Sequence, residues 1–288
     1  MSSEGLLDAR VLAELHNALL RLLKEFDRVC TAIGTPYVVY AGTAIGAVRH
    51  KGFVPWDDDI DVCMLREDYE RFLLEAPDVI GREYALESSR TVAAYPNMFA
   101  KLGLKGTAYI PGFIKRSPYV PKVALDIFPF DEIAPTEKEY KQQLRDTWFW
   151  GRMMYVQGTP TPYLAFGGLK RHIVHAITGA GYWIMKGLRV TPTSLQRRWE
   201  KAARRYEGRG SGRFTDFTSL TPRRDEVTKE DLYPAVEARF GPLKTKLPAE
   251  YDRILTSTFG DYMRMPPPGD RKTHSPVHIE IADFGGPL

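Results

Sequence analysis

Residues 57–61 read Asp-Asp-Asp-Ile-Asp, four carboxylates in five positions, directly behind the stretch "YAGTAIGAVRHKGFVPW". Side chains two apart on a strand share a face, so the alternation in "DIDVCM" predicts Asp57, Asp59 and Asp61 pointing together while Ile60 and Val62 turn to the core. Asp58 then faces the other way and reads as structural. Carboxylates crowded like this push one another's pKa upward unless a cation offsets them. Hard oxygen ligands of this kind suit Mg²⁺ or Mn²⁺, which one or two carboxylates hold together with substrate phosphates.

The residues before the aspartates supply a matching anion site. Gly42 lets a backbone approach closely, Thr43 can cap a helix, and the N–H groups of a helix start favour phosphate. Arg49, His50 and Lys51 add positive charge where a departing phosphate gathers negative charge. Trp56 reads as a wall residue or as a stacking surface for a base. Two familiar phosphate motifs are excluded: no Gly-Lys-Ser/Thr closes a Walker A loop, and "GTAIGAV" lacks the spacing of a dinucleotide fingerprint.

The hydrophobic pattern shows which elements must hold these residues. Apolar side chains recur at three- and four-residue intervals from Leu7 to Phe26, which predicts an amphipathic helix over 7–33 that Gly34 and Pro36 end. "YVVYA" reads as a strand, "AIGAVRH" as a short helix, "DIDVCM" as the next strand and "REDYERFLLEA" as a helix stopping before Pro77. "KVALDIFPF" is a third strand-like run, broken by Pro129, and residues 140–206 read as mainly helical with Gly/Pro interruptions. The chain divides into a core over 1–139, a helical basic segment over 140–215, and a C-terminal segment over 216–288 packing back on the core.

With 43% hydrophobic and 26% charged residues among 288, the chain is ordinary for a soluble globular enzyme and unlike a disordered one. Cys30 and Cys63 are its only cysteines, so no disulfide framework or four-cysteine zinc site forms, and a reducing cytoplasm fits. Glu4 and Asp8 stand where a secretory signal wants positive charge. "HIVHAITGAGYWIMKGL" is apolar but short of a spanning length. Between Arg145 and Arg213, thirteen Lys/Arg face only Asp146, Glu200 and Glu207, whereas the whole chain nets +4. That imbalance suits an anionic partner, such as acidic lipid headgroups, a phosphorylated glycan or nucleic acid; a solvated helical face is the plainer reading.

The stretch "YAGTAIGAVRHKGFVPWDDDIDV" resembles the signature of the LicD family, which includes the fukutin-related proteins and belongs to the nucleotidyltransferase-fold superfamily. "ALDIFPFDEI", "MFAKLGLKGTAY" and the tail "FGDYMRMPPPGDRKTH" extend the resemblance over about 35–135 and 225–275, with Phe259 a departure from the family's usual Tyr. It implies an α+β fold: a nucleotidyltransferase-like core, a small mixed sheet with flanking helices, plus the largely helical basic middle segment. It also implies Asp126 as the third carboxylate, so that Asp59, Asp61 and Asp126 hold Mg²⁺ or Mn²⁺. Asp126, or else Asp57, takes the proton of an attacking hydroxyl. Lys101 joins Arg49 and His50 on the leaving phosphate, and Arg271 and His274 reach the site from the tail.

The activity implied is transfer of a phospho-alcohol, phosphocholine or an alditol phosphate, from a CDP-linked donor to a sugar hydroxyl of a cell-surface glycan or glycolipid precursor, in lipopolysaccharide or teichoic acid biosynthesis. A glycosyltransferase using a nucleotide-sugar through Asp-x-Asp, a nucleotidyltransferase acting on a small molecule or RNA, and an inactive binding module are the rivals. No nucleic-acid partner is expected. The expected location is the cytoplasm, with peripheral contact to anionic membrane at its inner face.

Overall fold

The computed structural model describes residues 7–92, 95–111, 119–158, 168–209, 211–271, 273–274 and 276–281. Helix α1 (Ala9–Ile33) starts at Asp8, whose side chain accepts from the Arg10 amide, and stops at Gly34 in the left-handed region at φ 69°. Its apolar stripe, from Leu15 through Phe26 to Ile33, is buried against the central sheet and helix α3 (Arg66–Glu75). Each such side chain contributes roughly 1.5–3 kcal/mol on burial.

The sheet runs in the order β1 (Val38–Val39), β2 (Asp61–Leu65), β6 (Ala124–Glu132), β4 (Ala100–Leu104), β3 (Tyr84–Glu87), and β7 (Arg213–Thr215) with β8 (Val227–Thr228) joins through β6. Only β2 and β6 among these pairs are parallel. Between β1 and β2 lie the short helix α2 (Ala41–Ile45) and a π-helical turn, Gly46–His50. A Cβ on Gly46 would meet the Gly52 carbonyl oxygen at 2.4 Å, so only glycine lets this turn fold back on itself. The mixed sheet and its flanking helices are the α+β architecture expected from the sequence.

Two expectations are corrected. Strand β2 begins only at Asp61, and residues 57–60 are irregular, so the aspartates do not alternate along one strand. Strand β6 runs through Pro129, which sits opposite Met64 in the parallel ladder. Its missing N–H is tolerated because β4 pairs with β6 only as far as Ile127 and β7 starts at Asp131, leaving that side unpaired at 129.

The middle of the chain forms α4 (Glu137–Gly158), α5 (Gly168–Gly187) and α6 (Pro192–Ala203). Helices α4 and α6 share a small core of Tyr140, Met154, Leu195 and Trp199. Gln143 ties them to the sheet: its Oε1 accepts from the Ala134 amide, and its Nε2 donates to the Glu132 and Ala203 carbonyls. Helix α5 buries no residue. Downstream, α7 (Lys229–Leu232), the hairpin β9 (Val236–Phe240) and β10 (Leu243–Leu247), and α8 (Tyr251–Phe259) pack back on the core, and β11 (Pro276–Glu280) pairs with β5 (Ala108–Pro111).

Candidate active site

The parallel register sets Asp61 beside Asp126, and the antiparallel register on the other side of β6 sets Lys101 beside Asp126. Lys101 Nζ lies 2.6 and 2.8 Å from the two Asp126 oxygens. These residues, with Asp58, Asp59 and His274, line a cleft of about 340 Å³ that Tyr109, Tyr119, Tyr155, Phe99 and Phe128 wall off. Thr43 does not cap a helix; its hydroxyl accepts from the Asp61 amide at 2.9 Å and so fixes where β2 begins. A Cβ on Gly42 would meet Asp57 Oδ2 at 2.7 Å, so glycine makes room for that carboxylate. His16 Nε2, against the Asp57 carbonyl at 2.7 Å, braces the loop from α1.

Asp58, read from the sequence as facing away, points into this cluster. It accepts from the Tyr109 hydroxyl, from the His274 amide at 3.0 Å and from His274 Nδ1 at 2.8 Å. His274 Nδ1 is also 3.5 Å from Asp59. The tail therefore closes over the aspartate loop. Arg271 adds a second clasp, its guanidinium 4.8 Å from the centroid of Trp56.

Arg49 and His50 are not part of the cleft's lining. Arg49 donates to His50 Nε2 at 2.9 Å and to the carbonyls of Tyr262 and Arg264, which fastens the segment leading to the tail. Lys51 is exposed, with φ 56°, and its carbonyl accepts from the Gly241 amide at 2.6 Å. Tyr109 and Asp58 are the site residues that sequence reasoning missed; "KGTAY" and "DDDID" contain them, but nothing local says that they meet.

The electrostatics follow from burial. Desolvation, then the charges of Asp59 and Asp58, pushes Asp57 up to about 8. Asp59 is raised chiefly by burial, with His274 and Lys101 pulling the other way. Asp61 is held well above the ordinary carboxylate range by burial and by Asp59, Asp126 and Asp57. The hydrogen bond to Asp58 raises His274 to about 9, so at neutral pH it is a cation. Carboxylates raised by burial and by one another, as Asp59 and Asp61 are, form the kind of donor set that a divalent cation relieves. Asp58, Asp59 and His274 also present one ligand atom each within 4.8 Å of one another. Asp58 is held by Tyr109 and His274, and Asp126 by Lys101, so an ion bound through either carboxylate would displace a hydrogen-bond partner.

A parallel strand pair with carboxylates at its shared end, a glycine-threonine turn above it and an acidic cleft closed by a cationic tail define a nucleotidyltransferase-type enzyme core. Residues 34–172 match the family model described as LicD/FKTN/FKRP, nucleotidyltransferase domain. The chain is also 26% identical over 279 residues, 94% of its length and 97% of the relative's, to the lipopolysaccharide cholinephosphotransferase LicD of Haemophilus influenzae. The chain thus resembles the LicD family over residues 34–172, with a thinner similarity along most of its length, and is a transferase. Shorter similarities join it to uncharacterized proteins of Rickettsia prowazekii (34% over 68 residues; 24% of this chain, 26% of the relative) and Rickettsia typhi (38% over 73 residues; 25% and 24%).

Proposed function

We propose that this protein is a divalent-cation-dependent phosphotransferase that moves a phospho-alcohol, phosphocholine or an alditol phosphate, from a CDP-linked donor to a sugar hydroxyl of a cell-surface glycan precursor. The observation that carries this reading is the Asp61, Asp126 and Lys101 row at the shared end of β2, β6 and β4, with Asp59 beside it. Near full-length similarity to a lipopolysaccharide cholinephosphotransferase supports it.

Mg²⁺ or Mn²⁺ held by Asp59, Asp61 and Asp126 would supply positive charge for the donor diphosphate and for the charge that builds on the leaving nucleotide. Asp126 lines the cleft and is our choice of proton acceptor; Asp57, packed under Gly42, does not line it. Since Lys101 occupies both Asp126 oxygens, donor phosphate must draw Lys101 away before Asp126 can take a proton. That exchange leaves the ammonium on the phosphate and an oxygen of Asp126 facing the acceptor hydroxyl. Protonated His274 adds a further positive charge, while Arg49 and His50 act through the segment that carries it. Trp56, packed against the core and stacked by Arg271, holds the tail rather than lining the cleft.

Among the described residues, no helix is long and apolar enough to cross a membrane. We assign the protein peripheral contact with an anionic membrane surface through α5, whose outward stripe exposes Leu169, Ile173, Ile177, Trp183 and Ile184. The deciding experiment is incubation with Mg²⁺ and a panel of CDP-linked donors, with and without glycolipid acceptors. Release of cytidine monophosphate that depends on both metal and acceptor is expected; release of a nucleoside diphosphate from nucleotide-sugars instead would make it a glycosyltransferase.

A further inference from the structure

A second cavity, of about 510 Å³, adjoins the acidic cleft, and Pro96, Asn97, Phe99 and Tyr155 line both. Its size falls within the range of small-molecule sites, about 300–1,000 Å³. Its lining includes the aromatic residues Trp148, Trp199 and Phe217 and the hydroxyl residues Thr147, Thr218 and Ser219. Arg145 and Arg152 of α4 are its charged residues, and among the described residues no carboxylate lines it. The Arg152 guanidinium lies over the Trp148 ring, 5.5 Å from its centroid.

This chemistry selects an occupant. A quaternary ammonium would face the Arg152 guanidinium and that of Arg145, whose partner Asp146 lies outside the lining, so a choline head group is disfavoured here. A sugar ring fits: its C–H faces meet the aromatic side chains, and its hydroxyls pair with Asn97 and donate to the hydroxyl oxygens of Thr218 and Ser219, while Thr147 is buried and donates to the Gln143 and Leu144 carbonyls. A phosphate or carboxylate on that sugar would pair with the guanidinium forks. In-line transfer also requires the acceptor to approach from the side opposite the leaving group, which a separate chamber opening onto the same wall allows.

We infer that this cavity is the acceptor subsite and takes an anionic saccharide, whose hydroxyl is presented past Asn97 and Tyr155 to the carboxylate cleft. This deepens the transfer reading and rests on it for the meaning of "acceptor".

Binding alone tests the inference, by calorimetry on the full chain with a monophosphorylated disaccharide, a uronic-acid disaccharide, a neutral disaccharide and inorganic phosphate. At least one anionic disaccharide should bind, and tighter than both the neutral sugar and phosphate. Arg152→Ala and Trp148→Ala should each weaken it at least tenfold. Gly151→Leu should do the same by filling the space, since a Cβ there meets nothing nearer than Trp199 Nε1 at 4.0 Å. Gln142→Ala, exposed on the same helix outside the lining, is the control, and thermal unfolding checks each fold. No binding to the unaltered protein, equal binding of phosphate alone, or affinities unmoved by all three variants would overturn it. If the donor panel yields no cytidine monophosphate but these affinities behave as expected, the transfer reading fails while the saccharide site stands.

Discussion

The acidic cleft and the helical layer formed by α4, α5 and α6 treat charge in opposite ways. In the core, Asp57, Asp58, Asp59 and Asp61 crowd together, and the tail brings His274 across 216 residues of sequence to meet them. In the helical layer most cations lie outside, and α5 turns an apolar stripe to solvent. Buried charge demands fixed partners because water cannot stand in for them, whereas surface charge remains available for a partner that is not part of the chain. The first region fixes its charges on partners within the chain, and the second leaves its cations and an apolar stripe at the surface.

The largest difference expected from this contrast is in stability. Arg66 reaches Asp131 through two hydrogen bonds of 2.7 Å, both residues buried, so Arg66→Ala should cost about 3–5 kcal/mol by stranding a carboxylate. Arg204→Ala in the helical layer removes half-exposed pairs with Glu70 and Glu207 and should cost under about 1 kcal/mol. Urea unfolding of the two variants compares them; equal losses would mean that the regions do not differ as argued.

Next comes activity. Asp61→Asn keeps the shape of the side chain but removes a charge that burial and three neighbouring aspartates oppose. Turnover should fall by more than about 100-fold, beyond the loss typical of a group that only orients a metal ligand. The melting temperature without added metal should hold or rise at pH 8. A variant with normal Mg²⁺-dependent turnover would remove Asp61 from the ion's ligands.

How far the sequence foretold this follows from how local each feature is. Helix α1, with its stripe and its Gly34 stop, needed only neighbours along the chain, and its observed span differs from the expected one by two residues at the start. For the aspartates the local rule for strands, alternation, predicts a shared face. The loop over 57–60 has no period, so the inward turn of Asp58 had no signal. His274 on Asp58 and Arg271 on Trp56 are contacts between distant segments, which only the resemblance to a family hinted at. In α5 the apolar run was readable, but its partition was not: Met185 packs against the α4–α6 core, whereas Trp183 and Ile184 face solvent.

A smaller, pH-dependent effect comes from Asp216, fully buried beside Asp225 and accepting from the Thr218 amide at 2.7 Å. Burial, together with Asp225 and against the pull of Thr218, pushes it up to about 7. The folded state therefore holds a proton that the unfolded chain has already released. This group's contribution is fully present at acid pH and lost as pH rises toward and through 7. Between pH 5 and 8 the loss should be about 2 kcal/mol. Asp216→Asn keeps the accepting oxygen, so its stability relative to the unaltered protein should climb by that amount over the same range. A difference that stays flat with pH would show that Asp216 ionises normally.

The smallest expected effect concerns the exposed stripe of α5. Trp183 and Ile184 are 69% and 61% exposed, and Lys170, Arg171, Lys186 and Arg189 flank them in sequence. Of the cations further along, Arg204 and Arg205 are engaged with Glu70, Glu207 and Asp146, and Arg198 stacks on Trp150, so they add less to a lipid surface. Attachment should rest on a few cations near the surface worth about 1 kcal/mol each, with the apolar side chains dipping beneath them. Sedimentation with vesicles containing phosphatidylserine should be strong at low salt and weak at high salt, because salt screens charges lying outside the protein. Lys186→Ala should lower the partition coefficient about fivefold. Trp183→Ala should weaken binding at every salt concentration, since burying an aromatic side chain does not depend on ionic strength. Equal sedimentation with neutral and anionic vesicles would remove electrostatics from the contact. Sedimentation with neither would leave the stripe to a protein partner and confine the comparison between the two regions to stability alone.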